Sequence, residues 1–307
     1  MNPQEYAELA DRIRPAFMAK LREEKLPADQ EEPLCRAYLP LADWVHRQKT
    51  VGKPLLLGVN GAQGSGKSTL CAFLQLILAE AYGYRVTGFS IDDIYLTRTE
   101  RERLGRETHP LLVTRGVPGT HDIALGRQTL QKLFDPAGGP VAMPAFDKAL
   151  DDRRPQTEWT EYEGPADIVI FEGWCVGAKP QAEAELSEPV NPLERDEDSD
   201  GIWRSYVNRQ LQGPYADLSG QIDRLIMLKV PDMECVYEWR SLQEQKLAGK
   251  TALTDGKQRT MDAEGLRRFI MHYERITRHT LAEMPGRADL TLFLDHNHQF
   301  TNPDTLP

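Results

Sequence analysis

Short apolar runs alternate with helical patterns along most of the chain. Runs rich in Val, Ile, Leu or Phe have the length of strands at residues 55–59, 86–91, 168–171, 225–230 and 290–294. Apolar residues recur at helical spacing over residues 70–81, 123–134, 233–247 and 266–281. This alternation predicts an α/β fold, a doubly wound parallel sheet covered by helices on both faces. Ligands of such sheets gather at the carboxyl ends of the strands.

The first 53 residues follow a purely helical pattern. An apolar stripe with i, i+4 spacing is formed by Tyr6, Leu9, Ile13, Phe17 and Leu21, and residues 34–44 indicate a second helix. We therefore expect a helical N-terminal extension at residues 1–53 and the main domain at residues 54–307.

Charge and hydropathy exclude several classes of protein. The chain of 307 residues has a formal net charge of -10 and no basic stripe, which argues against a nucleic-acid surface. No apolar run approaches the length of a membrane span, and the polar, acidic start does not resemble a signal peptide. The four cysteines form no CxxC pair, which favours reduced thiols in a cytoplasmic protein over disulfides or zinc ligands. Acidic residues and prolines crowd residues 183–200, which predicts a solvated acidic loop.

A glycine-rich nonamer carries the strongest chemical signal. Residues 61–69 read GAQGSGKST and contain the pattern G-x-x-x-x-G-K-[ST] between an apolar strand and a helix. Amides at the start of that helix can bind a phosphate chain. The alternative is a chance glycine-rich turn, but strand, loop and helix stand in register. The expected nucleotide-binding residues are Gly61, Ala62, Gln63, Gly64, Ser65, Gly66, Lys67, Ser68 and Thr69.

Two of these residues have a predicted chemical role in a P-loop fold. Lys67 brings a positive charge to the β- and γ-phosphates, and Ser68 offers a hydroxyl to Mg²⁺. A second ligand for Mg²⁺ is expected at Glu172, which ends the apolar strand at 168–171. The alternative for Glu172 is a solvated carboxylate at a strand end. ATP and Mg²⁺ are therefore the expected ligands.

A doubled aspartate ends the strand at 86–91. A kinase needs a group that orients and deprotonates the acceptor hydroxyl, and aspartate suits that task. We expect Asp92 to be this base and Asp93 to support it as a substrate-binding residue, although one of the two can instead cap the following turn.

Further candidates lie on loops and on a helix. Arg115, His121 and Lys148 could bind an anionic acceptor, although a single histidine is often structural and Asp122 beside it can simply cap a helix. Arg240, on the helix at 233–247, could neutralise charge on the transferred phosphoryl group or belong to an ordinary solvated face.

Four segments together resemble one family. They are SIDDIYLT at 90–97, which includes Tyr95, the loop at 115–122, FEGW at 171–174 with Gly177 and Pro180, and YEWR at 237–240. In this order they look like plant-type D-glycerate 3-kinase and its bacterial and fungal relatives. The wider group contains phosphoribulokinase, uridine kinase and bacterial pantothenate kinase. Phe146 stands where that group often has tyrosine.

The resemblance implies a P-loop kinase domain with a mobile helical lid, ATP with Mg²⁺, Asp92 as the acceptor base, Glu172 in the second acidic motif and Arg240 in the lid. We also expect Tyr95 among the substrate-binding residues. The expected activity is phosphoryl transfer from ATP to a hydroxyl of a small organic acid, D-glycerate. The alternatives are another acceptor (a nucleoside, pantothenate or a sugar acid) and a regulatory ATP-binding module without catalysis. We expect a small-molecule substrate and neither nucleic acid nor membrane as partner, and the oligomeric state stays open.

Overall fold

A computed structural model describes residues 3–26, 34–251 and 261–301 of the chain. The helices are α1 (Pro3–Glu23), α2 (Leu39–Gln48), α3 (Lys67–Tyr82), α4 (Arg98–Glu107), α5 (Ile123–Phe134), α6 (Pro192–Glu197), α7 (Ile202–Gln212), α8 (Pro214–Ser219), α9 (Met233–Thr251) and α10 (Ala263–Glu283). The strands are β1 (Leu55–Gly61), β2 (Val86–Ser90), β3 (Val141–Ala142), β4 (Phe146–Asp147), β5 (Asp152–Arg153), β6 (Glu161–Tyr162), β7 (Ile168–Gly173), β8 (Arg224–Lys229) and β9 (Leu290–Phe293).

Five strands form the central sheet in the order β2-β7-β1-β8-β9, and every pairing in it is parallel. All five were predicted from apolar runs, to within two residues at each end. Successive residues of β1 point to opposite sides, so that Leu55 and Leu57 enter one core cluster and Leu56 enters the other. The doubly wound parallel sheet is therefore confirmed.

The N-terminal helices pack on α3 rather than standing apart. Leu9, Ile13 and Leu21 of α1 are buried in the same cluster as β1 and α3. The Phe17 ring lies with its centroid 4.6 Å from that of Phe73 in α3. The predicted apolar stripe thus faces the body of the protein, while the division of the chain at residue 53 stays a prediction.

The acidic segment is not the solvated loop that its composition predicts. It contains a short 3₁₀ turn at Glu183–Leu186 and the helix α6. Glu194 and Asp198 are buried there, because Arg275 binds the first at 2.7 Å and Arg204 binds the second at 3.0 Å. Composition could not distinguish these two acids from their exposed neighbours.

Two small antiparallel pairs lie in the long connection between β2 and β7. β3 pairs with β6, and β4 pairs with β5. The second pair forms a hairpin of residues 146–153, called here the 146–153 hairpin, which lies over the carboxyl end of β2. Among the described helices, none combines the length and the apolar composition needed to cross a lipid bilayer.

Candidate active site

The glycine loop joins β1 to α3 as the motif predicts. β1 ends at Gly61 and α3 begins at Lys67, so the loop presents the first amides of the helix. Gly64 and Gly66 have φ values of 80° and 84°, in the left-handed region that favours glycine. An anion placed at this helix start would meet unsatisfied N–H groups and the positive end of the helix dipole.

Helix α9, which carries Arg240 and is called here the lid helix, packs directly on the glycine loop. A Cβ atom added to Gly64 would lie 3.0 Å from Cβ of Trp239 and 3.3 Å from the backbone nitrogen of Arg240. Glycine at position 64 therefore permits close approach of α9 as well as the required φ value. Arg240 places its guanidinium 5.8 Å from the centroid of the Phe269 ring. The backbone of the predicted arginine thus lies beside the loop, and its role in catalysis stays a prediction.

Ser68 and Glu172, the two predicted Mg²⁺ ligands, meet where the carboxyl ends of the central strands lie, called here the carboxyl edge of the sheet. The Ser68 hydroxyl donates to Oε1 of Glu172 at 2.7 Å, although the residues are 104 positions apart. Glu172 is buried, and its Oε2 finds no hydrogen-bond partner among the described residues. A buried carboxylate oxygen without a partner is costly unless a cation or water completes it. This donor set of a hydroxyl and a carboxylate fits Mg²⁺, which prefers oxygen ligands.

The glycine loop also contains buried polar side-chain atoms whose hydrogen bonds are unsatisfied within the described residues. Both side-chain amide atoms of Gln63 and the Ser65 hydroxyl are buried without a hydrogen-bond partner in the described part of the chain. Lys67 and Thr69 lie in the first turn of α3. These groups, together with the loop amides, fit a bound polyphosphate.

Strand order explains how Asp92 reaches this edge. β7 lies between β1 and β2, and Ser90 at the end of β2 pairs with Glu172 of β7. Asp92 follows two residues later in a 3₁₀ turn. β1 and β2 are therefore not paired with each other, but β7 between them brings Asp92 to the same side of the sheet as the predicted Mg²⁺ ligands.

Asp92 is held by two donors. Lys148 donates to its Oδ2 and Tyr95 donates to its Oδ1, each at 2.7 Å. Burial raises the pKa of Asp92, but the charges of Lys148 and Lys67 and the two hydrogen bonds outweigh burial and hold it well below its usual value. The carboxylate is therefore ionised at neutral pH and can accept a hydrogen bond from a hydroxyl group.

Asp93 has a different environment. Its Oδ2 accepts from the Ser90 amide at 2.8 Å, which completes a capping box at the end of β2. Burial and the nearby charges of Asp92 and Glu172 raise the pKa of Asp93 to about 6. The geometry therefore favours the capping role for Asp93, and its predicted contact with substrate stays a prediction.

Tyr95 and His121 form the buried floor beneath Asp92. Their rings stack with centroids 4.6 Å apart, and their backbones form an isolated bridge. Nδ1 of His121 lies 2.5 Å from the Tyr215 hydroxyl, while its Nε2 is buried without a partner among the described residues. Burial lowers the pKa of His121 to about 3, so the imidazole is neutral. A neutral ring could donate or accept one hydrogen bond, but could not balance an anion by charge.

Two cationic side chains are associated with the 146–153 hairpin: Lys148 belongs to it, and Arg115 contacts it from the preceding loop. Arg115 binds Asp151, and its guanidinium lies 5.5 Å from the centroid of the Phe146 ring. Its Nη2 also reaches the carbonyl oxygen of Lys148 at 3.5 Å. The charge of Asp92 raises the pKa of Lys148, whose side chain is 62% exposed. Of the three predicted anion-binding residues, Lys148 thus lies against Asp92 and is open to solvent, whereas Arg115 contacts the hairpin behind it.

Asp151 and Arg101 organise this hairpin, although the sequence predicted a role for neither residue. Asp151 has a φ of 56° and binds both Arg115 and Arg101. Arg101 is 1% exposed and donates to the carbonyl oxygens of Val113 and Asp151. Asp151 stands in the run DDRR at residues 151–154, which is equally typical of a solvated charged loop.

Asn60 and Arg153 are also structural. Asn60, 2% exposed in β1, donates to the carbonyl oxygens of Trp174 and Val176 and so fixes the turn after Glu172. Arg153 donates to the Tyr95 carbonyl at 2.7 Å and to Asp122 at 3.2 Å. Trp174 is buried in the core.

Fold and site together define a P-loop kinase. The chain is 34% identical over 234 residues to an uncharacterised kinase of Schizosaccharomyces pombe, a match that covers 73% of this chain and 80% of the relative. It is 29% identical over 272 residues to the chloroplastic D-glycerate 3-kinase of Arabidopsis thaliana, covering 83% of this chain and 56% of that longer protein. No family model matches the chain.

A solved structure gives the same relation. The D-glycerate 3-kinase of Cryptococcus neoformans superposes with a TM-score of 0.68 at 27% identity, covering 86% of this chain and 97% of that one. The chain belongs to the family of P-loop kinases that contains these proteins. It is accordingly a phosphotransferase that acts on an alcohol group of a small molecule. Kinases of this fold use ATP, generally with Mg²⁺.

Proposed function

We propose that this protein transfers the γ-phosphoryl group of ATP to the terminal hydroxyl of D-glycerate. The observation that carries the proposal is the pairing of an ionised Asp92 with the cation Lys148 at the Mg²⁺-binding edge of the sheet. A hydroxyl acceptor with a carboxylate matches that pair, because one group needs a base and the other a cation. Two relatives named D-glycerate 3-kinase support this choice of acceptor.

The nucleotide is assigned to the glycine loop, residues 61–69. The loop amides and Lys67 would hold the phosphates, and Ser68 and Glu172 would hold Mg²⁺. Mg²⁺, when bound, supplies charge neutralisation on the phosphates. Arg240, which lies beside Gly64 on α9, would neutralise charge on the transferred group from the opposite side.

The acceptor is assigned to the space between Asp92 and the 146–153 hairpin. Lys148, with Arg115 behind it, would bind the carboxylate, and the acceptor hydroxyl would give its proton to Asp92. The hydroxyl oxygen then bonds to the γ-phosphorus as the bond to the bridging oxygen breaks, which releases ADP. The main contribution of these residues is positioning and charge stabilisation.

Binding of the acceptor would also change the base. Lys148 holds the pKa of Asp92 down as long as it binds Oδ2. If Lys148 turns to the carboxylate of the acceptor, the pKa of Asp92 rises, and the carboxylate becomes a stronger base when the hydroxyl arrives. A substrate without a carboxylate would leave Lys148 on Asp92.

An acceptor panel tests the proposal. Coupled detection of ADP with D-glycerate, L-glycerate, gluconate, pantothenate and uridine should give the highest kcat/KM for D-glycerate. Phosphorus NMR of the product should show esterification at the terminal carbon. A higher kcat/KM for another acceptor would replace D-glycerate, and nucleotide binding without turnover on any acceptor would favour the regulatory module.

We also place the protein in the cytoplasm, which the free thiols of Cys71, Cys175 and Cys235 support.

A further inference from the structure

Three side chains of metal-binding type meet on the opposite side of the glycine loop from Asp92. Asp232 and Cys235 lie at the start of α9, directly after β8, and His296 follows β9. Because β8 and β9 are parallel neighbours, their carboxyl ends bring together residues that are 61 positions apart. Nδ1 of His296 lies 3.1 Å from Sγ of Cys235, and one donor atom of each residue lies within 4.8 Å of the others.

The donor set is one that zinc prefers. A thiolate, an imidazole and a carboxylate bind Zn²⁺ in a tetrahedron, and three protein ligands leave the fourth position for water. Bonds of about 2.0–2.3 Å place tetrahedral donors about 3.3–3.8 Å apart, so the observed spacing needs only a small adjustment. Asp232 and His296 are exposed and can make that adjustment, whereas Cys235 is buried and fixed.

Local hydrogen bonding holds the Asp232 carboxylate beside the thiol of Cys235. Oδ1 of Asp232 accepts from the Cys235 amide at 2.9 Å, which caps α9. The carboxylate also accepts a hydrogen bond from the Cys235 thiol, a contact that a bound ion would replace with bonds to both ligands. The cap also fixes the carboxylate next to the sulfur atom, so a major part of the site is arranged before an ion arrives.

We propose that Asp232, Cys235 and His296 bind a zinc ion, at a site separate from the Mg²⁺ ligands Ser68 and Glu172. This departs from the sequence-based expectation, which found no zinc-ligand spacing among the cysteines. That expectation considered only ligands close together in sequence, whereas these three are brought together by the pairing of β8 with β9.

A bound ion would connect α9 with the loop after β9. That loop already contacts the nucleotide region, because His298 stacks on Trp239 at 3.6 Å between centroids and its Nε2 lies 3.0 Å from the carbonyl oxygen of Gly64. Trp239 in turn donates to the His296 carbonyl at 3.4 Å. Zinc would therefore hold the start of the lid helix, the loop and the glycine loop as one unit, and would raise the Tm of the protein.

Cobalt titration of the full chain tests the site, since Co²⁺ reports thiolate ligation by absorption. In the presence of a reductant and excess Mg²⁺, we expect one Co²⁺ per chain, a thiolate-to-cobalt charge-transfer band and tetrahedral d–d bands, all abolished by Zn²⁺. Absence of the charge-transfer band would overturn the proposal.

Matched variants assign the ligands. His296→Gln, at an exposed position, should weaken binding about tenfold or more, and Cys235→Ser should remove the charge-transfer band. His298→Gln in the same loop and Glu172→Gln at the Mg²⁺ site should both retain the band. Unchanged affinity in His296→Gln would overturn the site even if Cys235→Ser proved unstable, and loss of the band in Glu172→Gln would overturn its separation from the Mg²⁺ ligands.

Discussion

The ammonium group of Lys148 lies 2.7 Å from Oδ2 of Asp92, so the 146–153 hairpin contributes a cation directly to the end of β2. The two residues are 56 positions apart in the sequence: Asp92 lies in the turn after β2 and Lys148 lies in the hairpin. A cation that binds the base in the absence of substrate can also bind the substrate, and the exchange between these partners links acceptor binding to the basicity of Asp92.

Replacing Lys148 with methionine should impair recognition of the acceptor. We expect the KM for D-glycerate to rise at least about tenfold, because the variant loses the charge-assisted contact with the carboxylate of the acceptor. The KM for ATP should change little, since Lys148 is assigned to the acceptor and not to the nucleotide. Since Lys148 lowers the pKa of Asp92, its loss should also move the acid limb of the kcat/KM profile to higher pH. Lys132→Met, at an exposed position of α5, is the control. Equal changes in both KM values would speak against acceptor binding by Lys148.

A substrate analogue tests the same exchange without mutation. Glycerol carries the reacting hydroxyl but no carboxylate, so Lys148 should stay on Asp92 while it is bound. We expect glycerol to lose kcat as well as apparent affinity relative to D-glycerate, measured by release of ADP at saturation. A reduced affinity with unchanged kcat would show that the carboxylate serves binding alone.

Asp92→Asn should abolish transfer while leaving nucleotide binding intact. Loss of a general base lowers kcat by about 10²-fold or more, and asparagine preserves the hydrogen bond from Tyr95. Turnover is measured by ADP release, and binding by titration with a fluorescent ATP analogue. Asp217→Asn changes an aspartate whose side chain is 68% exposed and serves as control. Turnover at the level of the control would remove Asp92 from its assigned role.

Glu172→Gln should raise the requirement for Mg²⁺. The amide can still accept from Ser68, so the fold is preserved, but the charge that faces the ion is lost. We expect the concentration of Mg²⁺ at half-maximal activity to rise about tenfold, with Glu161→Gln on exposed β6 as control. An unchanged Mg²⁺ dependence would assign the ion to other ligands.

The sequence predicts the site where its signal is local. The glycine loop, the Asp92 turn and Glu172 are each recognised from a few consecutive residues next to an apolar run, and β2, β7 and β1 then bring them to one edge. Asp151 could not be predicted in the same way. Its function comes from a backbone φ of 56° and from two arginines that reach it from other segments.

The acidic segment shows the same limit in terms of burial. Glu194 and Asp196 stand two residues apart with similar chemistry, yet Glu194 is 0% exposed whereas Asp196 has a side chain that is 59% exposed. The difference arises from Arg275, which lies 81 positions away on α10. Composition reports the charge of a segment, but the location of a countercharge is a tertiary property.

The buried pair of Glu194 and Arg275 should be sensitive to removal of one partner. Arg275→Met leaves a buried carboxylate without its cation and should lower the free energy of unfolding by about 3–5 kcal/mol in urea denaturation. Arg268→Met breaks a half-exposed pair with Glu197 and should cost about 1 kcal/mol or less. Adding Glu194→Leu to Arg275→Met should restore part of the loss. Equal effects of the two single variants would contradict the buried-charge argument.

His272 should make the protein less stable in mild acid. Its ring is 3% exposed, and burial lowers its pKa from 6.5 to about 4. Between these values the unfolded chain binds a proton that the folded ring does not, so the free energy of unfolding falls as the pH decreases from about 6.5 towards 4. His272→Gln should therefore flatten that dependence in urea denaturation, and NMR titration of the His272 ring should place its midpoint well below 6.5. An identical pH dependence in the variant would show that His272 does not contribute to acid sensitivity.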